Sequence, residues 1–315
     1  MWQPEPGWQR LPGAGPATVG VWSATHLGHQ VVVKRLRRPD PQDAPGILVP
    51  ADVNYWRRAA DVALSGVVAD APGLREAPVV RVDEDEEGIT LVHERVEAHD
   101  APGLWLAACL GRFAAADLGE HPWLAREQLR TRLRLVERRG GWRLLTRPPV
   151  ADIADHLWSR RAAWLDRCDT LPQVAQHGDP SAANIPGRHE DGSVAIDWAH
   201  LGRGPVGADL GYLSLTTRED VEPLVEAYVA ALPGGLAAPE DVVAGARVTA
   251  VYTALTRLDW ALARVADGEG ALAGKFRHPS VAPYIHSMQR QVGQIEALLS
   301  DARRGHTRGQ HDGSQ

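Results

Sequence analysis

The chain has 315 residues, 44% of them hydrophobic, and a formal net charge of −6. That is enough apolar material for one large or two modest domains, and the charge argues against a nucleic-acid partner. Its cysteines, Cys109 and Cys168, have no metal-ligand spacing and are too few for a disulfide framework. No apolar run is long enough to span a bilayer, and the N-terminal stretch lacks the apolar centre of a signal peptide. The expectation is a cytoplasmic protein with no membrane partner.

The first hundred residues read as β-rich. Residues 8–11 form a short strand, followed by the turn-rich stretch Gly13-Ala-Gly-Pro-Ala-Thr-Val-Gly20. Residues 21–26 and 29–36 are two strands around the tight turn Leu27-Gly28, the second carrying Val31-Val32-Val33-Lys34. A proline-rich loop covers 37–50. Residues 51–68 have helical spacing at Trp56, Ala60, Ala63, Leu64 and Val67. A further strand pair, 78–83 and 89–96, flanks the acidic turn 84–88, read as a solvated hairpin tip.

After Pro102 the texture becomes helical, with stretches at 104–118, 123–137 and 151–167. A Gly-, Pro-, Asp- and Asn-rich break spans 173–211. Helical stretches follow at 218–232, 239–267 and 279–303, and a polar tail, 304–315, is expected to be disordered. The predicted architecture is α+β in two lobes: a small β-rich N-lobe, 1–97, and a larger, mostly helical C-lobe, 98–303.

The chemistry concentrates in the break. His177-Gly178-Asp179-Pro180-Ser181-Ala182-Ala183-Asn184 puts an Asp and an Asn five residues apart on a tight loop. A hairpin turn at 189–192 would return the chain so that Asp197, after Val194-Ala195-Ile196, lies beside Asn184. Phosphoryl transfer needs such a set. It takes a carboxylate to orient the attacking hydroxyl, oxygen ligands for Mg²⁺, and a cation on the phosphates.

The pattern H-G-D-x-x-x-x-N followed by I-D resembles the signature of the aminoglycoside phosphotransferase and choline kinase-like family. It parallels the H-R-D-x-x-x-x-N and D-F-G pair of protein kinases. The resemblance implies a bilobal protein kinase-like fold and a small-molecule kinase using Mg²⁺ and ATP, or GTP. Its substrate would be a small hydroxylated molecule, foremost an antibiotic or other natural product; the alternatives are a primary-metabolism kinase for a sugar, amino alcohol or nucleoside, and a nucleotide-binding pseudokinase with a regulatory role. In those terms Asp179 is the catalytic base, Asn184 and Asp197 are metal ligands, and His177 braces the loop. Asp209 either bonds backbone amides near that loop or caps a helix. Lys34 would contact the nucleotide phosphates. Gly13, Gly15 and Gly20 would cover them or else form a surface turn, and Glu94 would lie at the adenine hinge. Trp198, His200, Asp259 and Trp260 are candidate substrate contacts. One departure stands out. Relatives pair the strand lysine with a helix Glu, and here that position is Ala59, which leaves Asp61 or Asp52 as partner, the nucleotide alone, or an enzyme weakened by the loss of the Glu.

Overall fold

The computed structural model describes residues 2–13, 15, 17–145, 150–265 and 276–309. Strands β1 (Gln9–Leu11), β2 (Thr18–His26), β3 (His29–Arg37), β5 (Val79–Glu84) and β6 (Gly88–Glu94) form an antiparallel sheet in the order β1-β2-β3-β6-β5. Leu27 and Gly28 turn the β2–β3 hairpin with φ of 49° and 86°, the conformation a two-residue hairpin loop requires. Alternation along β3 puts Val31, Val33 and Arg35 on one face and Val32, Lys34 and Leu36 on the other. Lys34 therefore shares a face with residues that line the interlobe cleft. Buried Arg35 donates to Asp85 at 2.6 Å, so the acidic turn is a counter-charge as well as a solvated tip.

Helix α1 (Arg58–Ser65) is shorter than the expected 51–68. Residues before it are held in turns by Asp52, whose carboxylate accepts the Asn54 N–H at 2.8 Å. Gly66, at φ 65°, ends the helix in the left-handed region. Strand β4 (Leu74–Glu76), unread in the sequence, does not join the large sheet. It pairs in parallel with β9 (Gly192–Ala195), which pairs with β8 (Gly187–His189). A strand from early in the chain thus sits in a sheet of the second lobe.

The helical lobe contains α2 (Gly103–Phe113), α3 (Gln128–Arg138), α4 (Ala151–Asp169), α5 (Ala208–Leu213), α6 (Val221–Ala231), α7 (Pro239–Arg264), α8 (Ala282–Arg290) and α9 (Val292–Gly309). Two apolar clusters hold it. One joins α2, α5 and α6 to Trp198 and Leu201, and the other packs α3, α4, α8 and α9 around α7. The predicted 279–303 helix is two helices broken at Gln291. The expected disorder from Arg304 gives way to helix as far as Gly309, and 310–315 lie outside the described residues. Among the described residues no helix is long and apolar enough to cross a membrane. The architecture is α+β, a β-rich lobe followed by a helical one, as the sequence predicts.

Candidate active site

Strand β7 (Gln173–Gln176) pairs antiparallel with β10 (Gly202–Pro205) and delivers His177 into the core, where it is fully buried. The Nδ1 of His177 accepts the Asp179 N–H at 3.2 Å, so the proton resides on Nε2, which donates to the Ile196 carbonyl at 3.0 Å. Burial lowers its pKa, against the pull of Asp179, and the ring is a neutral brace tying the 177–184 loop to the segment before Asp197. The Asp209 carboxylate, in the first turn of α5, accepts the N–H groups of His177 (2.7 Å) and Gly178 (3.1 Å). Burial raises that carboxyl to about 7 despite both bonds.

Gly178 sits at φ 82°, and a Cβ there would lie 2.4 Å from the His200 carbonyl oxygen. Both observations demand glycine. Gly178→Ala should destabilise the protein by about 1–3 kcal/mol and lower activity at temperatures where the variant is still folded. Thermal melts paired with rate measurements would check both.

The tight turn at 179–184 brings the Asn184 Nδ2 to the Asp179 carbonyl (2.9 Å) and its Oδ2 (3.2 Å). With the amide nitrogen engaged, the Asn184 Oδ1 is left for a ligand. Across the cleft floor Asp197 adopts φ 60°, ψ 56° and meets the Lys34 ammonium at 2.6 Å. Burial would raise the Asp197 carboxyl, but Lys34 outweighs it and holds it at about 2. This pair answers the question raised by Ala59. Asp61 is taken by Arg57 at 2.9 Å and Asp52 by Asn54, so neither reaches Lys34. Ala59 itself packs with Leu36, Ala60, Ile89 and Leu91.

Next to Ala59 stands a residue the sequence reading passed over. Arg58 is fully buried and donates to the carbonyls of Pro50 (2.7 Å), Asp52 (2.6 Å), Val53 (3.2 Å), Trp123 (2.5 Å) and Ala199 (2.9 Å). It ties α1 to the C-lobe and to the turn directly after Asp197. Burial lowers its pKa to about 10, still charged at neutral pH. An arginine in a Tyr-Trp-Arg-Arg run gives no sequence signal of this, because its partners are backbone atoms.

Three cavities meet here. One of about 370 Å³ is walled by Val21, Leu91 and Ile196, with Lys34, Asn184 and Asp197 at one end. A second, of about 210 Å³, runs under Gly13 and Gly15 past Lys34 to Asp179. A third, of about 530 Å³, opens on the helical side and also contains Asp179 and His200. Glu94 lines the first, its N–H spent on the Pro78 carbonyl at 2.9 Å. Gly20 lines none of them. It lies in β2, where the Trp22 ring occupies the space a Cβ would need, at 2.6 Å. Trp198 departs from its expected substrate side: its indole is buried against His177 (4.6 Å) and Phe113 (5.6 Å). Asp259 and Trp260 do line the third cavity. Asp259 accepts the Leu144 N–H at 3.1 Å, and burial raises its carboxyl. Burial lowers His200 to about 4, so it is uncharged at neutral pH.

A β-lobe lysine facing an Asp/Asn loop across an interlobe cleft defines a kinase-like protein. The model of the phosphotransferase enzyme family (APH) matches residues 24–241. The chain belongs to that family and is a phosphotransferase. No curated protein matches it. Among solved structures, a choline/ethanolamine kinase family protein from Mesorhizobium loti aligns at 17% identity over 91% of this chain and 92% of that one, TM-score 0.54. A choline kinase from Streptococcus pneumoniae aligns at 14% over 92% and 94%, TM-score 0.56. An aminoglycoside phosphotransferase solved with ADP and hygromycin B aligns at 14% over 92% and 94%, TM-score 0.51. At such identities these similarities speak for the fold.

Proposed function

We propose that this protein transfers the terminal phosphoryl group of ATP, or GTP, with Mg²⁺, to a hydroxyl of a small natural-product acceptor. The observation that carries the reading is the position of Asp179, on the wall shared by the Lys34–Asp197 cavity and the 530 Å³ cavity. A group at that junction can touch an acceptor hydroxyl on one side and a terminal phosphate on the other.

In this reading each residue has a role that the geometry supports. Asp179 takes the proton of the attacking hydroxyl. The apolar walls Val21, Leu91 and Ile196 enclose the base. Lys34 turns from Asp197 to the phosphates. Asn184 and Asp197 are hard oxygen donors of the kind that hold Mg²⁺ together with phosphate oxygens, and the ion would neutralise charge on the transferring group. Neutral His177 and the Asp209 carboxylate keep the loop in shape. Similar proteins support the nucleotide assignment: an amicoumacin kinase was solved with AMP-PNP and Ca²⁺, and an aminoglycoside phosphotransferase with GDP and kanamycin.

Asp197→Ala tests the nucleotide half. The expected result is a loss of at least about 100-fold in Mg²⁺-dependent ATP affinity by calorimetry, since removal of a metal-bound group costs more than removal of its support. Unchanged affinity would remove Asp197 from the metal site. Turnover of ATP and GTP against sugars, amino alcohols, nucleosides and aminoglycosides then names the acceptor.

A further inference from the structure

The acceptor cavity has a charge that bears on its substrate. Arg132, Arg139, Arg143 and Arg257 line it, against two acids, Asp179 and Asp259. Of these acids, Asp259 is tied to the Leu144 amide and biased by burial towards its neutral form. His200 adds no charge. Two of these arginines, Arg132 and Arg139, have no carboxylate within ion-pair distance among the described residues. On α3 the half-buried Arg130 pairs with Asp166 and Asp169 of α4, and Arg134 with Glu127. Arg132 donates instead to the Gly178 carbonyl at 2.8 Å and lies over Tyr212 at 5.4 Å. Arg139 is exposed at the rim just beyond α3. Arg257 lies over the Tyr212 ring at 4.3 Å, donates to its hydroxyl and stands 3.9 Å from Asp179.

We infer that the acceptor carries an anionic group, a carboxylate or phosphate monoester, held by Arg132 and Arg139 while its hydroxyl faces Asp179. This rests on the phosphotransfer reading above and adds the acceptor class. Guanidinium groups favour carboxylate and phosphate oxygens by paired hydrogen bonds, and they repel a polycationic amino sugar. The rest of the wall mixes Thr253, Thr256 and Tyr212 with apolar side chains. Trp260, 42% exposed, and Leu129, Val136 and Ala263 suit a ring or short hydrocarbon beside the anion.

The test is binding calorimetry on the full chain with Mg²⁺ and a non-hydrolysable ATP analogue. Two matched series serve as probes. One is glucuronate, glucose and glucosamine; the other is 3-(4-hydroxyphenyl)propanoate, its methyl ester and tyramine. In at least one series the acid should bind at least about tenfold more tightly than its neutral partner, equivalent to about 1.4 kcal/mol, with the amine weakest. Arg139→Gln should reduce that advantage to about threefold or less. It lies at an exposed rim, so the variant should fold. An acid that binds no better than its amine in both series, absence of binding included, overturns the inference, as does an Arg139→Gln protein with the advantage intact. ATP-analogue binding in the same experiment reads the nucleotide site separately. If it is intact while the order of acids and amines is reversed, only the acceptor class fails; if it is absent, the phosphotransfer reading fails.

Discussion

Replacing Asp179 with asparagine should lower kcat by about 10²–10⁴-fold, the usual contribution of a positioned base, and should change Mg–ATP affinity by no more than about threefold. Asparagine preserves the shape of the side chain, and its amide oxygen can still accept from the Asn184 Nδ2, as the Asp179 Oδ2 does at 3.2 Å. What it loses is the ability to take a proton and the charge that faces Arg257. The loss should therefore fall on kcat and kcat/KM together, the mark of an interaction made in the transition state. Steady-state kinetics and nucleotide calorimetry on the same preparation check both parts. A variant with near-normal kcat would show that Asp179 only shapes the loop. A variant that no longer binds nucleotide would show that its carboxylate belongs to the phosphate site.

Arg58→Met should have the largest effect on stability. The substitution leaves five carbonyl oxygens facing a buried thioether where a guanidinium donated to each. Unsatisfied buried acceptors cost about 1–3 kcal/mol apiece before relaxation, and turns that shift to recover partners reduce the sum. A net loss of about 3–5 kcal/mol is expected, lowering Tm by about 10 °C in a chain of this size. Arg58→Lys should recover little of this, because a single ammonium cannot span carbonyls on three separate segments. Calorimetric melts of the two variants check the ranking. The same substitution loosens α1 against the turn at Ala199, so nucleotide affinity should fall in the folded protein. Arg58 supplies a rigid link between the helix and the cleft floor.

Much of this site was legible because its chemistry is local. Asp179, Asn184 and Asp197 are tied by short loops whose turn residues fix the geometry, and Lys34 ends an apolar alternation that sets its face. The Trp198 assignment erred because adjacency to Asp197 in sequence says nothing about direction. The left-handed turn at Asp197 sends the carboxylate into the cleft and the following indole into the core. Gly20 misled for a related reason, since a glycine can make room for a ring as well as for a phosphate. Strand β4 is three residues long and shows no alternation to read. Arg58 and the arginine-lined cavity depend on contacts between residues far apart in the chain, and composition reveals those only as an excess of arginine over lysine.

The pairing of β4 with β9 also sets an order for making the protein. The strand at Leu74–Glu76 leaves the ribosome long before its partner at Gly192–Ala195, roughly a hundred residues later. Until then its edge is open, and non-local pairings of this kind form late and slowly. A fragment ending at the apparent lobe boundary near residue 97 would carry that edge permanently exposed, inviting association with other chains. Completing the β4–β9–β8 sheet comes immediately before the chain reaches Asp197, so this pairing and the arrival of the carboxylate that meets Lys34 belong to the same stage of synthesis.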